Sequence, residues 1–412
     1  MPRLAAILSV EGFAGDSPVS EGGAGELGPS QNETLDLVIA GGTVVDPGNS
    51  IRGRLDIGVK NGLITDVSPD LTGRQSNRYI DATGLLVTPG LVDIHTHLYA
   101  GVSHYGIDPD ETCLARGVTT AVDAGSSGAQ TITGFRNLVI ERVETNILAF
   151  LNLSVLGMIT PLVGELEDLR YADPDAAIGA AKKHSDVVVG LKVRLDGKVV
   201  GESALPALTI GRAVADQLRL PMMVHILGVN DPLPSILQFL SRGDIVTHCF
   251  HGGWNGILDG NGELVSGVRE AEERGVLFDV GHGAGSFAFS VARRAMDNGL
   301  IPDTVSSDLH AYNVDGPVLD LVTTLSKMLH LGMELDEVLL RATSRPAAAI
   351  GRYPSVGSLG VGSNADIAVL ELQEGTFRFE DSTERSVRGR QRLEPRHVVR
   401  LGRLASRGGD RP

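Results

Sequence analysis

Leu91-Val92-Asp93-Ile94-His95-Thr96-His97 is an apolar run of strand length that ends in two histidines one residue apart. Side chains alternate along a strand, so His95 and His97 point to one face and form a chelating pair where the strand ends. Comparable β-like runs follow at 118–123, 147–154, 187–194, 222–226, 245–250, 276–280 and 304–307, with helical stretches such as 175–183, 205–218, 264–274, 286–298 and 318–331 between them. Strands that alternate with amphipathic helices predict an α/β fold with a parallel sheet. About eight such units over ~260 residues match the size of a closed (β/α)8 TIM-type barrel. No Gly-x-Gly-x-x-Gly fingerprint among these units supports an open doubly wound sheet.

Outward from the barrel, short β-rich runs at 37–40, 43–45, 55–59, 63–67 and 85–87 are punctuated by Gly, Asn and Pro. Similar text returns between Gly357 and Leu370, as a Gly-rich turn and a short strand. The two ends are expected to build one small β-sandwich domain from residues 35–88 and 352–405, with the barrel at 89–351. Residues 1–34, rich in Gly, Ser and acidic side chains and without periodicity, read as a disordered N-terminal extension.

Composition narrows the classes. A chain of 412 residues exceeds the ~250–300 at which a single core stops growing, so more than one core is expected. The 42% hydrophobic and 21% charged fractions are those of a soluble globular protein. A formal net charge of −15 argues against a nucleic-acid surface, which needs clustered Lys and Arg. Cys113 and Cys249 stand far apart, offer neither a disulfide framework nor Cys-based zinc spacing, and read as buried residues in a reducing compartment. No apolar run reaches the ~18–20 residues needed to span a bilayer, so no membrane is expected and the cytoplasm is the expected location.

Chemistry in such a barrel sits at the C-terminal ends of the strands. Besides His95 and His97, four later strands deliver Lys192, His225, His248 and Asp308 there. Lys192, in Gly190-Leu191-Lys192-Val193-Arg194, is the misfit, because metal charge would repel a free ammonium. A buried lysine loses its proton readily, and the neutral amine can take up carbon dioxide to give a carbamate, an anionic oxygen ligand able to bridge two metals. Four histidines, an aspartate and a carbamate suit zinc or a related divalent ion and suffice for two ions with a bridging hydroxide. A lone His-x-His pair has packing as its ordinary explanation; five coincident strand ends do not.

In this order these residues resemble the amidohydrolase superfamily, over about residues 36–405. Local text at 93–99, at Thr247-His248-Cys249-Phe250-His251-Gly252, at Gly281-His282-Gly283 and at Thr343-Ser344-Arg345-Pro346-Ala347 looks like its amidohydrolase/deacetylase group, a dihydroorotase-like set. The resemblance implies that His95, His97 and Asp308 hold the more buried metal and His225 and His248 the more exposed one, with carboxylated Lys192 bridging two zinc ions. It further implies hydrolysis of an amide or ester by a metal-activated hydroxide, with Asp308 as the catalytic proton carrier. Dihydroorotases follow the histidine pair with a substrate-binding arginine two places on. Tyr99 stands there instead, which favours deacetylation of an N-acetyl or O-acetyl carboxylic acid. Cyclic amidases of the dihydroorotase or hydantoinase type and aminoacylases share the metal array and are the alternatives. A non-catalytic scaffold would have no reason to keep the whole set.

The partner expected is a small-molecule substrate, and homo-oligomerisation is left open. Tyr99 is a candidate donor to a developing oxyanion, with packing as its ordinary role. Arg194 shares a strand face with Lys192 and is a candidate for a substrate carboxylate or for a salt bridge inside the barrel. His251 and His282, on mouth-facing loops, are candidates for substrate contact or for supporting hydrogen bonds, and Trp254 for a pocket wall.

Overall fold

The computed structural model describes residues 33–202 and 204–405. The expected N-terminal extension therefore lies almost wholly outside the described residues. Its last two, Glu33 and Thr34, run into the first sheet, where the Thr34 carbonyl accepts from Lys60 Nζ at 2.6 Å.

Seven short strands open the chain: β1 (Leu37–Ala40), β2 (Thr43–Asp46), β3 (Ile51–Arg54), β4 (Asp56–Lys60), β5 (Leu63–Ser68), β6 (Tyr79–Asp81) and β7 (Leu86–Pro89). Seven more form the central sheet: β8 (Leu91–Thr96), β9 (Val118–Gly128), β10 (Asn146–Asn152), β11 (Val188–Arg194), β12 (Met222–His225), β13 (Ile245–Thr247) and β14 (Leu277–Asp279). The chain then runs through a long hairpin, β15 (Ile367–Glu380) and β16 (Ser386–Arg400), to β17 (Arg403–Leu404).

The end strands make two sheets, ordered β5-β4-β1-β6 and β17-β16-β15-β7-β2-β3, so the second joins strands from both ends of the chain. Ile39 and Ile57 of the first sheet meet Val44, Val87, Val369 and Val399 of the second in one apolar cluster. β3 and β6 were not expected: β3 reads Ile-Arg-Gly-Arg, with no apolar pattern beyond its first residue.

The central strands pair in parallel and in chain order. β8 and β9 are buried along their whole length, as a parallel sheet covered on both faces requires. Val92, Val122, Leu148, Met223, Ile245 and Leu277, drawn from the first strand to the last, share one cluster, so the sheet curls on itself. Helices Pro174–Lys183, Ala204–Leu218, Val268–Arg274, Phe289–Asp297 and Leu321–His330 pack their apolar residues into the larger cluster on the other face.

Two expected strand ends are corrected. The run at 245–250 stops at Thr247, because His248 takes a left-handed backbone with φ of 69°. The run at 304–307 forms no ladder strand: Thr304 makes an isolated parallel bridge with Asp279, and Leu309, just beyond the run, makes another with Thr96. Its side chains take over part of the bonding: Ser306 Oγ donates to Asp279 at 2.6 Å and Ser307 Oγ to Asp93 at 2.5 Å. The hairpin reaches far beyond the short strand expected near 370, and Asp381 at its tip accepts from Phe289 N at 3.0 Å.

Candidate metal centre

On β12, Met223 lies in the apolar interior cluster and His225, two residues on, has the same face at the strand's end. At the strand ends and in the turns that follow them, His95, His97, Lys192, His225, His248 and Asp308 come together around one cavity of about 40 Å³. His95 Nε2 and His97 Nε2 lie 3.3 and 3.1 Å from Asp308 Oδ1. Ligand atoms of these three residues lie within 4.8 Å of one another. The His225 and His248 rings are 4.3 Å apart, and His248 is 5.0 Å from the His95 ring.

Hydrogen bonds behind the rings decide which nitrogens face the cavity. Thr247 Oγ1 donates to Asp279 Oδ2 at 2.8 Å, so at 2.8 Å from His95 Nδ1 it accepts, leaving His95 Nε2 with its lone pair. His248 Nδ1 donates to the Gly281 carbonyl at 2.7 Å, which leaves its Nε2 bare. His225 is turned the other way: its Nε2 donates to the Leu227 carbonyl at 3.1 Å, and Nδ1 is bare. Burial holds His95, His97 and His225 well below the usual imidazole range and takes His248 down to about 3, so the rings are neutral. Neutral nitrogens with lone pairs facing one carboxylate fit a divalent metal.

Lys192 is fully buried, with Nζ 3.0 Å from His95 Nε2. Burial lowers its pKa to about 7, against the pull of Asp308. A neutral amine is therefore accessible at ordinary pH, which fits the chemistry of carboxylation.

Backbone conformation is unusual at two of the candidate ligands. His248 and Asp308 both have positive φ, 69° and 50°, a region that costs a residue with a side chain about 1–3 kcal/mol and persists where its surroundings hold it. Asp308 is held from both sides: its N–H donates to the His95 carbonyl at 2.7 Å, and its carbonyl accepts from Asn313 Nδ2 at 2.8 Å. Asp93 and Asp279 brace the same region, accepting from Ser307 and from Thr247, Thr304 and Ser306, and burial pushes their carboxyls up to about 7 and about 6.

The four candidates for substrate contact separate. Arg194 lines the cavity, but Nη1 is paired with Glu165 at 2.5 Å and the guanidinium lies over Tyr105. Tyr99 does not line it: its hydroxyl donates to the Thr131 carbonyl at 3.3 Å and its ring packs on Phe135. The strand ends at Thr96, so strand alternation no longer governs where residue 99 points. His251 is buried in its own turn, with Nδ1 accepting from Gly253 N, and His282 points away toward Lys327; neither lines the cavity. Trp254 is 59% exposed and is not among the lining residues either. The reading missed Tyr105, Met158 and Glu165, whereas His310, weighed as a loop residue that could line the pocket, does line it. For His310, two places after Asp308, position was a usable signal; Met158 and Glu165 sit on a loop whose text carries none.

A model of the amidohydrolase family matches residues 288–404. A deacetylase of Agrobacterium fabrum is 36% identical over 340 residues, 82% of this chain and 83% of that protein. A deacetylase of Enterococcus faecalis is 30% identical over 365 residues, 88% of this chain and 98% of that protein. Among solved structures, one titled a dihydroorotase superposes with a TM-score of 0.83 at 32% identity, covering 90% of this chain and 99% of that one. With near-complete coverage at such identity, and histidines, lysine and aspartate gathered at the strand ends, this chain belongs to the amidohydrolase family, hydrolases of carbon–nitrogen bonds.

Proposed function

We propose that this amidohydrolase is a deacetylase that hydrolyses an N-acetyl or O-acetyl carboxylic acid at a two-metal centre. The observation that carries this reading is the convergence of four neutral imidazoles, Lys192 and Asp308 on one cavity, in a chain similar to deacetylases over most of its length. In this reading 304–307 closes the sheet as the eighth element of a (β/α)8 barrel at 89–351, and 35–88 with 352–405 form the β-sandwich domain.

His95, His97 and Asp308 would hold the more buried ion, His225 and His248 the more exposed one, and carboxylated Lys192 would bridge them. Zinc suits this nitrogen and oxygen set. When bound, the ions supply Lewis acidity and make hydroxide available near neutral pH. To form the carbamate, the neutral Lys192 amine adds to carbon dioxide: the N–C bond forms as one C=O π pair moves onto oxygen, and one N–H proton passes to solvent water. Asp308 takes the proton of the attacking water and returns it to the leaving nitrogen or oxygen. Arg194, steadied by Glu165, faces the substrate's carboxylate, and Tyr105, Met158 and His310 wall the small acyl group.

The test is acetate release from a panel of N-acetyl and O-acetyl carboxylic acids, with metal content measured alongside. Asp308→Asn should keep most of the metal and lose turnover; near-normal turnover in that variant refutes the assignment. The likeness to a structure titled dihydroorotase favours cyclic-amide hydrolysis as the second reading. Metal-loaded protein that opens cyclic amides and releases no acetate would select it.

A further inference from the structure

Lys327 is a cation that the proposed reaction does not use, and it is completely buried. It sits in the helix Leu321–His330 behind the metal centre, and burial lowers its pKa to about 7. Nζ donates to two neutral acceptors, His282 Nε2 and the Pro317 carbonyl, both at 2.8 Å. His282 is fixed in one tautomer, because its Nδ1 lies 3.0 Å from the Gly283 carbonyl, which can only accept. Nε2 therefore offers a lone pair to the lysine, and a directed chain runs from Lys327 through His282 to Gly283. The Phe287 ring stacks on His282 at 4.5 Å and limits its rotation.

The loop held this way touches three of the residues at the centre. The Gly281 carbonyl accepts from His248 Nδ1. A Cβ on Gly281 would lie 2.3 Å from Thr247 Oγ1, 2.9 Å from His248 Nδ1 and 3.1 Å from His95 Nδ1, and one on Gly283 would lie 2.3 Å from Asp308 Oδ2. The loop has no room to shift without moving the side chains it supports. Compared with an apolar residue of the same volume, Lys327 adds two directed bonds that limit such a shift.

We infer that Lys327 is a positioning residue: through His282 it fixes the Gly281–Gly283 loop, and with it the carbonyl that orients His248 and the backbone against which Asp308 rests. The inference rests on the metal-centre reading above.

The experiment measures zinc dissociation by chelator competition and the absorption spectrum of cobalt-loaded protein, for the wild type, Lys327→Met, His282→Phe and the double variant. Supporting groups of this kind are worth ~10–100-fold in metal affinity or activity. Lys327→Met should bind zinc more weakly by about that factor and change the cobalt spectrum. Its kcat should fall by a similar factor while KM moves less than about threefold. The double variant should be no worse than His282→Phe alone, because the two side chains act in series. Wild-type zinc affinity and spectrum in Lys327→Met overturn the inference, even if the variant melts earlier. If Lys327→Met does not fold, His282→Asn replaces it, since its amide N–H can still donate to Gly283 O while the shorter side chain removes the acceptor at the Nε2 position that Lys327 uses. The same loss there supports the inference, and wild-type values overturn it. A wild type that binds no metal overturns the metal-centre reading instead.

Discussion

Replacing Gly283 by alanine tests how tightly the backbone constrains Asp308. Gly283 has φ of 55°, where an L side chain costs roughly 1–2 kcal/mol. The new Cβ would lie 2.3 Å from Asp308 Oδ2, whereas ordinary contact begins at 3.4 Å, so the carboxylate must retreat by about 1 Å. A misplacement of that size in a reacting group costs on the order of 10²-fold in rate. Gly243 separates the clash from the backbone strain, because it has φ of 86° and nothing within 4 Å of its ideal Cβ. Gly283→Ala should therefore lose roughly 10²-fold in kcat/KM, and Gly243→Ala should show a comparable loss of stability with activity unchanged. Steady-state kinetics and denaturant titration of both variants give the comparison. Folded Gly283→Ala that keeps more than about a third of wild-type kcat/KM would refute the reasoning.

Lys192→Met should purify with less metal than the wild type and fall below about a hundredth of its turnover; equal metal content and activity would exclude a bridging carbamate. Arg345 in the Thr343–Ala347 motif pairs with Asp303 at 3.0 Å, both buried, and Asp303 also accepts from Phe278 N. Asp303→Ala should cost ~3–5 kcal/mol in unfolding free energy without altering activity per folded molecule, because it removes one partner of a buried ion pair and the acceptor of Phe278 N; a loss under about 1 kcal/mol would contradict this. Burial lowers the His251 pKa to about 4, so the folded chain refuses a proton that the unfolded chain takes up near pH ~6.5. The stability His251 contributes is complete above that pH and is lost as pH falls toward 4, at up to ~1.4 kcal/mol per unit. His251→Gln should flatten that part of the stability–pH curve, and an unchanged slope would show that His251 does not carry it.

The six residues proposed as ligands could be picked out in the sequence because each ends, or directly follows, a short apolar run. A parallel α/β chain brings such strand ends to one side whatever the loops do, so His95, His97, Lys192, His225, His248 and Asp308 could be named from their positions along the chain. Apolar runs likewise marked the central strands to within a few residues. The run at 304–307 marked its segment but not its bonding, since Ser306 and Ser307 bond through their side chains to Asp279 and Asp93. Contacts between loops were beyond the sequence. Arg194 finds Glu165 from a loop 29 residues earlier, Lys327 meets His282 across 45 residues, and Asp381 at the hairpin tip caps Phe289. No periodicity relates such pairs; they exist only because the packed chain brings them within hydrogen-bonding distance. The same holds for the nitrogen that each histidine presents, since a ring's tautomer is set by the acceptor behind it. The sequence by itself determined which residues could bind metal and beside which apolar runs they lie. Tertiary packing alone decided which atoms face the cavity and which side chains keep them there.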